Sequence, residues 1–180
     1  MPRTYTEFAE ANGVELPDGG PCPFCGADFE RGVHACVEVF ELGFGVLDLS
    51  APEDHRYRFF IVDAHALQHP ELHGRWSDHF HLARLELVLG RGVAWSYSMS
   101  PRMSRALDAY KLGAPDEVLE VPPPGERGEV TAARVRAAQD DPEACRAVIV
   151  DWASSVLEAR SAAKEAITEL VALAEPGLHG

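Results

Sequence analysis

Apolar positions recur along this chain at the spacing of helices rather than of strands. Val33, Val37, Phe40 and Phe44 fall on one helical face, and Cys36 shares it. A second helix is predicted through Phe59, Val62 and Ala66, with His69 continuing the stripe and His65 one turn earlier. Pro70 disfavours helical geometry at His69 and should stop the helix there. Ser77 suits the cap of a third helix, which Leu82, Leu85 and Leu89 carry toward Gly90 or Gly92, with His81 on its apolar side. Short helices are predicted over 104–112 and 130–138. Asp140 or Asp141 ahead of Pro142 then opens a long final helix ending near Gly177. Its stripe is Cys145, Val148, Trp152, Val156, Ala163, Ile167 and Leu170. Strand-like alternation is weak throughout. The expected fold is all-α: a helical bundle with an N-terminal zinc-knuckle loop packed on two helices.

With 180 residues and 46% hydrophobic positions, the chain can bury a full core without a metal to rescue it. It is read as one domain: a metal-binding helical region (1–114), a Pro-rich acidic connector (115–129, PDEVLEVPPPGERGE) and C-terminal helices (130–180) packing back on the first region. No run of about 18 apolar residues suggests a membrane span. The opening MPRTYTEFAEANG lacks the apolar core of a signal peptide, so a cytoplasmic location is expected. A net charge of −13 disfavours nucleic acid and anionic membranes as partners.

Of four cysteines, Cys22 and Cys25 stand in the tight Cys-Pro-Phe-Cys-Gly turn that places two thiolates on one ion, with Gly26 letting the backbone turn away. No second CxxC exists, so the remaining ligands must come from elsewhere. His69 and His81 are the expected partners on Zn2+, since each lies on an apolar helical face where an unpartnered imidazole is costly. Cys36 is the alternate fourth ligand, and His65 and His79 stand in reserve. Asp63 and Asp78 are placed to orient a ligating imidazole. A redox reading of Cys22 and Cys25, as in glutaredoxin-like sites, needs a strand before the first cysteine and a helix starting at it. The flanking PDGG and Gly26 fit a zinc knuckle better.

The segments CPFCGA, HACVEVFE, IVDAHALQHPE and HLARLELVLGRG, followed by VPPPGERGEVTAARV and VIVDWASSVLEA, resemble an uncharacterised bacterial family of small proteins common in actinobacteria. The likeness covers about residues 20–160 and implies no activity. It implies that Cys22, Cys25, Cys36, His69 and His81 fall on the family's motif positions. The chain departs from the pattern at His65, where the resemblance implies tyrosine, and at Leu157, where it implies tryptophan.

Three roles are open to such a metal. Four protein ligands would make a closed structural or regulatory zinc site. Three would leave a water for a hydrolase or lyase acting on a small-molecule substrate, with His65 and Asp63 as the candidate acid–base pair. A binding module is the third, in which the last amphipathic helix docks a partner or a second copy to give a homodimer; that stripe reads first as core.

Overall fold

The computed structural model describes residues 5–48, 50–73, 77–113 and 119–178. Among these residues the chain is helical, and its extended pairing is limited to one isolated bridge, Gly20 to Arg31. The helices are α1 (Tyr5–Ala11), α2 (Gly32–Val46), α3 (His55–Gln68), α4 (Ser77–Leu85), α5 (Ser100–Gly113), α6 (Ala132–Ala137), α7 (Pro142–Ala159) and α8 (Lys164–Ala174). The all-α expectation holds, and α2 and α3 fall where the apolar spacing put them. Residues 74–76, ahead of α4, and 115–118, at the start of the expected connector, lie outside the described residues.

The bundle is organised around α3, which packs on α2, α4 and α7. Most helices bury one stripe, but α3 buries Tyr57, Phe59, Phe60, Ile61, Ala64, Ala66 and Leu67 and, with them, the polar Asp63, His65 and Gln68. Buried polar groups must find partners or lose stability. Gln68 does so on three sides: its Nε2 donates to the carbonyls of Val130 (2.9 Å) and Arg127 (3.2 Å), and its Oε1 accepts from Trp152 Nε1 (2.8 Å). This amide ties α3 to α7 and to the segment before α6.

The start of α7 shows how local sequence dictates a helix end. Asp141 accepts from the backbone N–H groups of Glu143 and Ala144, and Pro142 occupies the first turn, where its missing N–H costs nothing. Cys145, Ile149, Trp152, Ala153 and Val156 form the buried face. The expected single final helix is instead two. The chain leaves α7 at Arg160, passes through a 3-10 turn (Ser161–Ala163) and restarts as α8, which packs on α4 and α5 rather than on α3. The reason is Arg160 itself. Its side chain is buried at 1% exposure, and its guanidinium donates to the carbonyls of Leu67 and Glu120 and to Asp78 Oδ2 at 3.0 Å.

The described part of the Pro-rich segment is anchored rather than loose. Arg127 is buried, donates to the carbonyls of Pro122 and Gln68, and grips Glu71 bidentately at 2.7 and 2.8 Å.

Candidate metal centre

The loop before α2 is built to aim sulfur inward. Gly26 donates to the Cys22 carbonyl at 2.9 Å, Cys22 donates to the Ala27 carbonyl at 2.8 Å, and Gly26 takes φ +74°, a conformation that favours glycine. This closes Cys22–Gly26 into a knuckle with both thiols on its inner side, 2% and 4% exposed. Beneath them α2 presents Cys36, one turn into the helix, and the end of α3 presents His69; both are fully buried.

Ligand atoms of Cys22, Cys25, Cys36 and His69 all lie within 4.8 Å of one another. Cys22 Sγ is 3.5 Å from His69 Nε2, and Cys25 Sγ is 3.6 Å from Cys36 Sγ. A tetrahedral ion with metal–sulfur bonds of about 2.3 Å and a metal–nitrogen bond of about 2.0–2.1 Å has S···S edges of about 3.8 Å and S···N edges of about 3.6 Å. Both measured distances are close to the edges of such a tetrahedron.

The imidazole orientation is fixed from behind. Helix α3 ends at Gln68, and His69 leaves helical geometry at φ −127°, ψ 53°, as Pro70 requires of the residue before it. His69 Nδ1 donates to the His65 carbonyl at 2.8 Å, which leaves Nε2 as the ring nitrogen that faces the thiols. Phe24 meets the same ring edge-on.

The four groups shift one another's protonation strongly. Hydrogen bonds from Cys25 and Cys36, and then from His69, hold the Cys22 thiol far below its ordinary range against the effect of burial. Cys36 is driven far up by its hydrogen bonds to Cys22 and Cys25 and by burial. Burial disfavours charge on His69, but hydrogen bonding to Cys22 and Cys25 and their negative charge prevail and raise it to about 10. Three thiols packed this closely cannot all ionise unless a cation neutralises them.

Of the ligands expected from sequence, Cys22, Cys25 and His69 come together, and the alternate, Cys36, completes the set. His81 is placed elsewhere. Its Nδ1 lies 2.6 Å from Asp63 Oδ1, in a buried cluster where Arg84 also grips both oxygens of Asp63. Asp63 thus orients His81 and Arg84 rather than a metal-ligating imidazole, and Asp78 pairs with Arg160 rather than with a histidine. His65, the candidate acid–base group, is fully buried and stacks on His69 with ring centroids 4.3 Å apart. Burial, followed by the charges of His69 and His73, pushes its pKa well below the ordinary value. Neither ring nitrogen of His65 has a hydrogen-bond partner among the described residues. His79 is buried on α4 and is not among the four.

Fold and site together define an all-helical protein with a buried Cys3His group able to hold a metal ion. Residues 20–161 match the model of a family of unknown function, DUF5946, and the chain belongs to that family. No curated protein and no solved structure matches the chain.

Proposed function

We propose that this is a zinc protein in which Cys22, Cys25, Cys36 and His69 hold Zn2+ and the ion serves a structural or regulatory role. One observation carries the reading: four soft or borderline donors, each at most 4% exposed, lie within 4.8 Å of one another with spacings that suit tetrahedral coordination. Three sulfurs and one imidazole favour zinc over magnesium or calcium, which take oxygen ligands. Four protein ligands close the coordination sphere. A zinc-dependent hydrolase or lyase needs an open position for water, which is why that reading stands second.

Bound there, the ion would neutralise the thiolates and join the knuckle to the first turn of α2 and the end of α3. His69 lies 47 positions beyond Cys22, so the binding energy would become folding energy. Such a thiol-rich site suits a reducing, cytoplasmic setting. The test is metal analysis of the purified chain beside thermal melting, before and after a chelator strong enough to strip zinc. Stoichiometric zinc, with a large drop in Tm on its removal, supports the reading. Metal-free protein with an unchanged melt refutes it.

A further inference from the structure

Two of the elements that carry the four donors are tied together by a part of the chain that supplies no ligand. Residues 122–130 run from the knuckle to the end of α3 and on to α7. At the tip, the Glu126 N–H donates to the Pro123 carbonyl at 3.0 Å and closes a turn. Gly125, at φ +84°, then donates its N–H to the carbonyl of Phe24, between the two knuckle cysteines, at 3.0 Å. Two residues later Arg127, 4% exposed, takes hold on both sides of His69. Its guanidinium donates to the Gln68 carbonyl at 3.1 Å and to the two oxygens of Glu71 at 2.7 and 2.8 Å, while Nε takes the Pro122 carbonyl. Gln68 answers with its own side chain, donating to the carbonyls of Arg127 and Val130. At the far end the Val130 N–H donates to Ser155 Oγ on α7 at 3.2 Å.

The four donors are each at most 4% exposed and sit on the knuckle, on α2 and at the end of α3. An ion held among them leaves only when these elements part in a local opening. The bonds of residues 122–130 span the knuckle and the end of α3, so they oppose that opening. An interaction present before and after release but broken in between changes rates and not the equilibrium.

We propose that residues 122–130 form a strap that sets the rate of metal exchange, with Arg127 as a positioning residue acting through Gln68 and Glu71. The proposal rests on the zinc reading above and decides within it. An ion retained behind such a strap exchanges slowly, which suits a structural metal and not one sensed through rapid binding and release.

The test uses the full chain loaded with zinc under reducing conditions, with release into excess EDTA and uptake from free zinc each followed with a zinc dye. Removing one member of a buried ion pair can unfold a protein, so both are replaced together, as Arg127→Met with Glu71→Met. Release and uptake should each accelerate by about tenfold or more, the factor expected when charge-assisted hydrogen bonds are lost, while zinc at equilibrium stays at about one per chain. Arg127→Lys keeps the charge without the forked geometry and should fall between the parent and the double variant. Ile167→Val trims the buried face of α8 without touching the strap, and should release zinc at the parent rate. Unchanged release in the double variant overturns the strap, as does equal acceleration in Ile167→Val, or faster release matched by lost affinity with uptake unchanged. A parent chain that neither carries nor takes up zinc overturns the zinc reading and the strap with it.

Discussion

His69 and His65 stand one helical turn apart, and three contacts connect them: the Nδ1–H and the backbone N–H of His69 reach the His65 carbonyl at 2.8 and 3.0 Å, and the two rings stack nearly parallel. The backbone of α3 thereby sets the tautomer of the only imidazole among the four donors, while the His65 ring covers its flank. A ligand held this way loses little freedom on binding metal.

The proposed ligand set can be separated from its neighbours by substitution. Cys22→Ser and Cys36→Ser should each reduce bound zinc from about one per chain to a small fraction, and should lower Tm by roughly 10 °C or more, taking a few kcal/mol of binding energy and about 2–4 °C per kcal/mol for a chain of this size. His81→Ala should keep its zinc. Metal content measured on folded variants decides the matter. Zinc lost from His81→Ala and kept in Cys36→Ser would reverse the assignment.

His65 itself offers a different test. Its unpartnered ring is packed between His69 and Phe40, with the Phe40 centroid 4.5 Å away. His65→Phe should retain zinc and fold, with a change in stability within about 1.5 kcal/mol, because a neutral buried imidazole is exchanged for an apolar ring of related shape. If His65 is an essential ligand or acid–base group instead, zinc or any activity found later will vanish in this variant.

Much of this was legible from residue order, and the exceptions have physical causes. The knuckle announced itself because CPFCG is a local signal, complete within a few residues. Helices α2 and α3 announced themselves through apolar period and through Pro70. The fourth donor did not. Cys36 and His81 both sit on apolar helical faces, and periodicity alone cannot say which face meets the knuckle. One clue was available: Asp63 lies inside the apolar run FFIVDAHAL, and a buried carboxylate demands a cationic or N–H partner, which makes His81 and Arg84 its natural claimants. The break between α7 and α8 was hidden for another reason. The apolar stripe runs through it uninterrupted, and what ends α7 is tertiary: Arg160 turned inward to Asp78, a residue 82 positions away.

The Asp63 cluster should matter more to stability than to metal. Asp63→Ala would leave Arg84 and His81 buried without their shared acceptor, and removal of one member of a buried ion pair costs about 3–5 kcal/mol. Arg84 also lies over the rings of Phe59 and Phe80, so it has no easy route to solvent. Chemical denaturation should therefore show a markedly lower midpoint, with zinc still bound in the folded fraction. A midpoint like that of the parent chain would mean that the cluster relaxes at little cost.

Asp54 gives the fold a dependence on pH that can be separated from the metal. The Arg146 guanidinium, with donors 2.8 and 2.9 Å from the two carboxylate oxygens, holds the Asp54 carboxyl below its usual value of 3.8 against the effect of burial. A carboxylate whose pKa is lower folded than unfolded binds fewer protons in the native state. Its contribution is therefore fully present above the unfolded value and disappears as pH falls through the folded one. Acid would also release a zinc ion held as proposed, by protonating its thiolates, so the parent chain alone would mix the two effects. The difference between parent and Arg146→Met removes the shared part. Urea midpoints should differ clearly at pH 7, remain apart down to about pH 4, and converge on further acidification. A gap independent of pH over that range would mean that Arg146 stabilises the junction of α3 and α7 by packing alone, with no part played by the charge on Asp54.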